Sequence, residues 1–226
     1  MRKIITADQT ETFVNEKINE AYHSHTGALE EARIKYTEPC KIAERAKSGT
    51  LKILDVGFGM GYNSAYAIDV ALESNPRCNI EVIGLESDPA IIAKIQEVNP
   101  PLSIYNQYKK LTPQSLSFQH ENVTVTVILA DASESIKTIP PEWADAIFFD
   151  PFSPTNNPEM WSLTVFGHVN RILNSRGIFA TYTSHPLARE NLASVGLLYD
   201  DGPILPRRGP GTIATKWNWP FNEPFS

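Results

Sequence analysis

The chain has 226 residues, of which 42% are hydrophobic and 20% charged, enough for one α/β domain with a single core. Its net charge of −6 disfavours nonspecific binding to nucleic acid but does not exclude a nucleic-acid substrate that is held by a local basic patch. Because the sequence has no window of about 18 uninterrupted apolar residues and no secretory leader pattern, it predicts no membrane span and a cytoplasmic protein.

The first 48 residues are predicted to form a helical lid in front of the rest of the domain. Apolar residues at roughly helical intervals predict one helix from Glu11 to Tyr22, and a second short helix is expected from Ala28 to Tyr36. Two histidines, His23 and His25, lie in this region, but no third ligand at usable spacing accompanies them. No metal site is therefore expected.

From Leu51 onward, strands alternate with helices. The predicted strands are 51–56, 80–85, 123–129, 144–149 and 177–183, with weaker candidates at 197–204 and 212–216. The predicted helices are 62–73, 89–98, 133–138, 158–173 and 186–194, with a short one at 103–111 inside a long link, 99–122. This order predicts a mostly parallel sheet of about seven strands with helices on both faces. A turn around Pro206–Gly211 would add an antiparallel edge strand.

The segment from Leu51 to Gly61 is typical of a nucleotide-cofactor turn. A short apolar strand ends at Asp55, and glycines follow at every second position, Gly57, Gly59 and Gly61, where the backbone can approach a ligand closely. The spacing differs from the G-x-G-x-x-G pattern of dinucleotide sites. A carboxylate at Asp55 would repel a pyrophosphate but suits a cationic ligand. The turn therefore resembles motif I of class I S-adenosylmethionine-dependent methyltransferases, and it predicts S-adenosyl-L-methionine as the cofactor.

Acidic residues stand at four successive strand ends, where ligands of open parallel sheets bind. Asp55 is expected near the cofactor's cationic part and Glu86 at the two ribose hydroxyls, because a carboxylate accepts two hydrogen bonds at once. Asp131, with Ala132 beside it, is expected at the adenine amino group. The alternative for each taken singly is a helix N-cap. Asp150 is expected beside the methyl donor, as the catalytic residue and a cofactor contact.

The stretch from Asp150 to Trp161 resembles the D-x-F-x-P-x-x-N-P-x-M-W signature of the MnmC family, the methyltransferase part of a bifunctional tRNA 5-methylaminomethyl-2-thiouridine biosynthesis protein. Its likeness to the D-P-P-Y motif of DNA amino-methyltransferases is incomplete. Further similar segments are YHSHTGALEEAR from Tyr22, VGFGMGYN ending at Asn63, and ATYTS from Ala180. The resemblance spans about residues 22–216, with a thinner C-terminal basic run.

The resemblance implies a Rossmann-like class I methyltransferase fold over residues 49–216, between the lid (1–48) and a tail (217–226), in one domain. Larger family members carry an FAD-dependent oxidase domain, for which no second glycine fingerprint is seen. The implied reaction is N-methylation of 5-aminomethyl(-2-thio)uridine at the wobble position of tRNA. A separate enzyme that supplies the aminomethyl-uridine precursor is an expected further partner.

The site residues that the resemblance implies include Asn63 at the cofactor, and Tyr22 with Glu30 or Glu31 closing over it. Substrate contacts are expected from Phe152, Trp161, Arg207 and Arg208: the aromatic rings would stack on the pyrimidine, and the arginines are candidates for phosphate contacts. Trp161 is equally well explained as a core residue. Lys109, Lys110, Arg171 and Arg176 are further candidates for phosphate contacts, although each is more often a solvated charge.

Three functional interpretations remain open at this stage. The first is the tRNA methyltransferase, in which Asp150 acts either as the base for a protonated amine or as an orienting acceptor. The second is an S-adenosylmethionine-dependent enzyme acting on a small amine. The third is a cofactor-binding module that has lost catalysis, which the complete set of glycines and strand-end acids disfavours.

Overall fold

The computed structural model describes residues 1–205 and 209–217, and eleven strands lie in these ranges. They are β1 Arg2–Ile5, β2 Glu11–Asn15, β3 Glu20–Ala21, β4 Thr50–Val56, β5 Asn79–Glu86, β6 Ser117–His120, β7 Val123–Leu129, β8 Ala144–Phe149, β9 Leu173–Thr181, β10 Leu198–Ile204 and β11 Pro210–Thr215. The α-helices are α1 Ala28–Glu31, α2 Ile42–Ala46, α3 Tyr62–Ser74, α4 Pro89–Lys94, α5 Tyr105–Tyr108, α6 Ala132–Ser135, α7 Leu163–Ile172 and α8 Pro186–Ser194. A π-helical segment, Ala32–Thr37, continues α1 directly.

Eight strands form the central sheet in the order β10-β11-β9-β8-β4-β5-β7-β6. The five strands β9, β8, β4, β5 and β7 are parallel, whereas β10, β11 and β6 run antiparallel to their neighbours. The predicted mostly parallel sheet with an antiparallel edge is therefore confirmed. Its strand count is one higher because β6, inside the predicted link 99–122, pairs with β7. Four residues with one buried apolar side chain, Phe118, are too short a pattern to predict a strand.

The central strands are apolar on both faces because helices cover both sides of the sheet. One core cluster lies on the side of α3 and includes Leu51, Ile53 and Ile68. The other lies on the side of α7 and includes Leu54 and Phe149. This double burial fixes the register of β4 against β5 and β8, so that their carboxyl ends lie side by side.

The N-terminal region differs from the predicted helical lid. The segment Glu11–Tyr22 contains β2 and β3 of a three-stranded antiparallel sheet, with β2 in the middle. The run Thr12-Phe-Val is β-branched and aromatic and suits a strand, and β1 supplies a partner that the spacing of apolar residues did not reveal. The second predicted helix, Ala28–Tyr36, is confirmed as α1 with its π-helical continuation.

Two predicted helices also have different bounds. The predicted helix 158–173 is divided into a 3-10 turn, Pro158–Trp161, and α7. Ser162 separates them in an extended conformation, and its side chain caps α7 by accepting a hydrogen bond from Val165 N–H. The predicted helix 89–98 is α4 followed by a 3-10 turn, Ile95–Glu97. In the predicted turn and tail, residues 206–208 and 218–226 lie outside the described part of the chain.

Within residues 1–205 and 209–217, no helix combines the length and apolar character that a membrane crossing requires.

Candidate active site

A cavity of about 440 Å³ opens beyond the carboxyl ends of the parallel strands. Its floor is built from strand ends and the turns after them, including Gly57, Gly59, Glu86 and Asp150. The opposite wall comes from the N-terminal region, residues 19–25, and from Glu31 on α1. The sheet topology therefore brings the strand-end acids to one edge, and the N-terminal region closes over that edge.

The glycine turn after β4 has a left-handed backbone at all three glycines. The φ angles are 79° at Gly57, 54° at Gly59 and 74° at Gly61. A Cβ at Gly57 would lie 2.5 Å from the backbone carbonyl oxygen of Asp150, so glycine lets the end of β4 approach the end of β8. A Cβ at Gly61 would collide with the rings of Phe58 and Tyr108. Gly59 connects the turn to β5, because its N–H donates a hydrogen bond to Glu86 Oε2 at 2.8 Å.

Two alanine substitutions in this turn are expected to differ sharply in their effect on stability. Gly57→Ala should lower the free energy of unfolding for two reasons. A side chain in the left-handed conformation costs about 1–2 kcal/mol, and the close contact of the new Cβ with the backbone of Asp150 costs about 1–3 kcal/mol more. In Gly59→Ala the new Cβ makes ordinary contacts, 3.7 Å from the Tyr22 ring and 3.9 Å from the Gly57 carbonyl oxygen, and the free energy of unfolding should fall by only about 1–2 kcal/mol. Urea denaturation measures both values. Equal destabilisation would contradict the close approach at Gly57.

Glu86, at the end of β5, accepts three backbone hydrogen bonds. Its Oε2 binds Gly59 N–H, and its Oε1 binds the N–H groups of Ser87 and Asp88 at 2.8 and 2.9 Å. The carboxyl group is buried, and burial raises its pKa, while the three N–H donors oppose that shift. These bonds use both lone-pair sites of Oε1 and one of the two on Oε2, so Glu86 can hold the turn in place and accept one further hydrogen bond, at Oε2, from a ligand in the cavity.

Asp131 caps α6 and also borders the cavity. Its Oδ1 accepts hydrogen bonds from Ser133 N–H at 2.8 Å and Ser133 Oγ at 2.7 Å, and these bonds lower the pKa of the exposed carboxylate. The N-cap alternative is therefore correct for Asp131. Both Asp131 and Ala132 line the cavity, so a contact of this turn with the adenine remains a prediction.

Asp55 lies beneath the turn, and it is not among the residues that line the cavity. Its side chain is fully buried, and neither carboxyl oxygen has a hydrogen-bond partner of normal geometry among the described residues. Burial raises the pKa of Asp55 to about 7, although groups of Ser64 oppose the shift and the charge of Glu86 adds to it. Asp55 would therefore affect a cationic ligand by its electrostatic field and not by direct contact.

Asp55 is expected to make stability depend on pH. Its pKa is higher in the folded chain than in the unfolded chain, so the folded state binds more protons between about pH 4 and 7 and loses stability as pH rises through that window. The amide in the Asp55→Asn variant cannot ionise. In urea denaturation, Asp55→Asn should gain roughly 2–4 kcal/mol relative to the wild type between pH 4 and 8. A difference that does not change with pH would contradict this assignment.

Asp150, the first residue after β8, lines the cavity and is held in place by Asn63. Asn63 Nδ2 donates to Asp150 Oδ2 at 2.8 Å, while Asn63 itself is buried and does not border the cavity. Burial, followed by the negative charge of Glu31, raises the pKa of Asp150 well above its ordinary value. The Tyr36 hydroxyl is close enough to oppose this shift but makes no hydrogen bond of normal geometry. With a raised pKa, this carboxylate accepts a proton more readily than an ordinary aspartate does.

The loop after Asp150 carries the aromatic residue Phe152, which lines the cavity and packs edge-on against Tyr22 at 5.0 Å between ring centroids. Trp161 is fully buried against Phe149 and does not line the cavity, so the expectation that its ring stacks on a base is wrong and the core alternative is correct. Its indole N–H donates to the Phe152 carbonyl oxygen at 2.9 Å. Trp161 therefore positions the loop from below.

Glu20, in the N-terminal sheet, binds the same loop, and the sequence pattern did not predict this contact. Its carboxylate accepts hydrogen bonds from Ser153 N–H at 3.0 Å, Ser153 Oγ at 2.9 Å and Asn156 Nδ2 at 2.6 Å.

Of the two acidic residues on α1 that were expected to close over the cofactor, Glu31 lines the cavity and Glu30 does not. Tyr22 reaches across to the turn after β5 and donates to Asp88 Oδ2 at 3.0 Å.

The remaining candidates differ from one another in their surroundings, and His23 belongs to the wall of the cavity. His23 is buried, stacks on Tyr62 at 4.9 Å, and has a pKa lowered to about 4 by burial, so it is neutral. Arg171 donates to backbone carbonyl oxygens, including that of Ile139 at 2.7 Å, and so has a structural role. Arg207 and Arg208 lie outside the described residues. In the described ranges, no group of three or more potential ligands is arranged to hold a metal ion.

This combination of a mostly parallel sheet, a glycine turn and a strand-end acid facing one cavity is that of a class I methyltransferase. Residues 96–217 match a family model described as S-adenosyl-L-methionine-dependent methyltransferase, and this is more than half of the chain. The protein belongs to this family, and its cofactor is S-adenosyl-L-methionine.

Among related proteins, the bifunctional tRNA 5-methylaminomethyl-2-thiouridine biosynthesis protein MnmC of Paracidovorax citrulli is 30% identical over 205 residues, covering 85% of this chain and 32% of that protein. The MnmC of Paraburkholderia phymatum is 29% identical over 80% of this chain and 30% of its own length. The chain thus spans about a third of the curated relatives it matches. The crystal structure of MnmC2 from Aquifex aeolicus superposes with a TM-score of 0.84 and 31% identity, covering 95% of this chain and 70% of that one.

A spermidine synthase from Thermotoga maritima shares the fold, with a TM-score of 0.61 at 16% identity.

Proposed function

We propose that this protein transfers a methyl group from S-adenosyl-L-methionine to the side-chain nitrogen of 5-aminomethyl(-2-thio)uridine at the wobble position of tRNA. The likeness to the methyltransferase part of MnmC proteins over most of this chain supports the substrate. The observation that carries the proposal is Asp150, a part-buried carboxylate with a raised pKa on the floor of the cofactor cavity. A tRNA substrate is consistent with a cytoplasmic enzyme.

The residues of the cavity fit the cofactor. Glu86 Oε2 offers one further lone-pair site at the end of β5, where a ribose hydroxyl can donate, and Asp131 and Ala132 border the position proposed for the adenine. The glycine turn leaves the backbone uncovered beside them, with Gly59 at the cavity surface. When bound, the cofactor supplies an activated methyl group, so the remaining task of the protein is to position a neutral amine in line with that group.

Asp150 has the properties needed to provide that neutral amine. An aliphatic amine resembles Lys, with a pKa of about 10.4, and arrives protonated at neutral pH. Burial disfavours its charged form, and a carboxylate whose own pKa is raised accepts the proton more readily. In this proposal Asp150 is the base, Asn63 holds its carboxylate at a fixed angle, and Phe152 provides an aromatic face for the pyrimidine. Arg207 and Arg208 are proposed phosphate contacts.

The experiment that tests the proposal compares three acceptors with labelled cofactor. They are tRNA from cells that cannot complete the last wobble methylation, the same tRNA from normal cells, and a series of simple alkylamines. The proposal predicts label in the first acceptor only. Transfer to alkylamines with none to RNA would instead identify the enzyme as a small-amine methyltransferase, and a separate enzyme supplying aminomethyl-uridine would then have no place in its function.

A further inference from the structure

A second carboxyl group, that of Glu31, lines the cavity that contains Asp150, and the reaction described so far does not use it. Glu31 is the last residue of α1, and only 3% of it is exposed. Its Oε2 accepts a hydrogen bond from Ser24 N–H at 2.7 Å, which fixes the carboxylate beside the N-terminal wall. A buried carboxylate held at a cavity surface in this way is suited to bind a ligand group.

Asp150 and Glu31 are close enough to act on each other, since the charge of Glu31 raises the pKa of Asp150. The two carboxyl groups come from opposite sides of the cavity, Asp150 from the end of β8 and Glu31 from the N-terminal wall. A group bound between them would meet hydrogen-bond acceptors on both sides.

Two buried polar atoms next to this pair lack hydrogen-bond partners of normal geometry. The Tyr36 hydroxyl is fully buried, and both Asp150 and Glu31 act on it. The other atom is Asn63 Oδ1, on the side chain whose Nδ2 donates to Asp150. Neither Tyr36 nor Asn63 lines the cavity, so a ligand bound there does not contact these two atoms directly. Between the two carboxylates a ligand meets acceptors, and an ammonium group, with three N–H donors and no acceptor, matches that arrangement.

We propose that Glu31 is the second acidic residue of the substrate site, where it binds the substrate's amino group opposite Asp150 and orients it for methyl transfer. This inference rests on the proposed function in one respect, namely that the substrate is an amine. It adds a specificity determinant: two carboxylates favour a cationic amine over a neutral group of the same size.

The proton balance of the step assigns a different task to each carboxylate. Asp150 takes one proton from the ammonium, which leaves a neutral amine with a lone pair and two N–H groups. Glu31 accepts a hydrogen bond from one of these N–H groups, so the lone pair points away from it. The nitrogen–carbon bond then forms as the carbon–sulfur bond breaks, with the electron pair left on sulfur. The product leaves as a secondary ammonium, and Asp150 returns its proton to solvent.

The first test compares Glu31→Gln with Glu30→Gln, a matched control one residue away that does not line the cavity. The amide introduced by Glu31→Gln keeps an oxygen that can accept from Ser24 N–H. At saturating cofactor, Glu31→Gln should lower kcat/KM for hypomodified tRNA by about 10- to 100-fold, the range for losing one hydrogen bond to a charged group. Glu30→Gln should stay within about twofold of the wild type, since surface changes are usually small.

The pH profile separates an electrostatic role of Glu31 from a structural one. The titratable groups that face Asp150 are Glu31 from α1, Tyr36 from the π-helical segment and Asp55 from β4, with Tyr182 facing Tyr36. Removing the charge of Glu31 lowers the pKa of Asp150, so the acidic limb of kcat/KM should move to lower pH in Glu31→Gln. Glu31→Asp keeps the charge, and it should keep the limb near the wild-type position even where its rate falls.

The second test is independent of tRNA. It measures by calorimetry the binding of the nucleosides 5-aminomethyluridine and 5-hydroxymethyluridine to the enzyme saturated with S-adenosylhomocysteine. Wild type should bind the amine more tightly, and Glu31→Gln should lose about tenfold or more for the amine while binding the hydroxyl compound as before. Equal loss for both nucleosides, no preference in the wild type, or an unchanged pH limb would overturn the inference. Absence of methyl transfer to tRNA by the wild type would instead refute the proposed function, and the nucleoside binding would still decide the role of Glu31.

Discussion

Replacing Asp150 by Asn is expected to lower the rate of methyl transfer by about 10²- to 10⁴-fold, the usual contribution of a general base. The substitution keeps the size of the side chain but removes its ability to take a proton. Asn63 Nδ2 still has an oxygen at position 150 to which it can donate. Binding of S-adenosyl-L-methionine should therefore fall by no more than about 10- to 100-fold, because no more than one hydrogen bond to a charged group is lost.

The measurement is single-turnover transfer from labelled cofactor, with cofactor binding followed by calorimetry. The acidic limb of the wild-type pH profile should disappear in Asp150→Asn, because the group that titrates is gone. Asp145→Asn is the matched control: Asp145 lies near the start of the same strand and binds Lys52 N–H and the side chain of Asn174. If Asp150→Asn kept a rate close to that of the wild type, Asp150 would be an orienting acceptor and not the base.

Replacing Glu86 by Ala is expected to weaken binding of S-adenosyl-L-methionine by about 10- to 100-fold, since one hydrogen bond from the ligand to a charged acceptor is lost. It also removes the acceptor of three backbone N–H groups, those of Gly59, Ser87 and Asp88. The glycine turn then loses one of its contacts with β5, while the N–H groups of Gly57 and Phe58 still donate to the Leu85 carbonyl oxygen, so the free energy of unfolding should fall by about 1–3 kcal/mol.

Calorimetric titration and urea denaturation measure the two effects of Glu86→Ala. Glu81→Ala is the control on the same strand, where the side chain of Glu81 is 47% exposed and lies 3.9 Å from Lys52 Nζ in a surface ion pair. Such a pair contributes about 0–1 kcal/mol, so binding should not change. If Glu86→Ala bound the cofactor as tightly as Glu81→Ala does, the ribose assignment of Glu86 would be wrong.

The sequence predicted the part of the site that depends on the parallel sheet. Strands buried on both faces are strongly apolar, so the ends of β4, β5 and β8 could be predicted. The acidic residues at these ends, Asp55, Glu86 and Asp150, could be predicted with them. What the periodicity did not reveal is which strand-end side chain faces the cavity. Asp55 is fully buried and does not line the cavity, and β4 continues to Val56 before the glycine turn begins.

The opposite wall of the site was largely unpredictable because it depends on contacts between residues that are distant in sequence. Glu20 binds Ser153 across 133 positions, and nothing near Glu20 in the sequence indicates that contact. The strands β2 and β3 are short, and their pairing is what fixes them as strands. Trp161 fits either a core or a stacking role by composition, and only the packing against Phe149 decides between them.

The measurement that tests the central claim most directly is nucleoside mass analysis of tRNA. The tRNA comes from cells that cannot complete the last wobble methylation, and it is treated with the enzyme and a cofactor that carries an isotopically labelled methyl group. The account predicts that 5-aminomethyluridine or its 2-thio form gains one labelled methyl on the side-chain nitrogen, and that Asp150→Asn leaves it unmodified. Label on a ring atom or on ribose, or no label in RNA while the cofactor binds normally, would contradict the account.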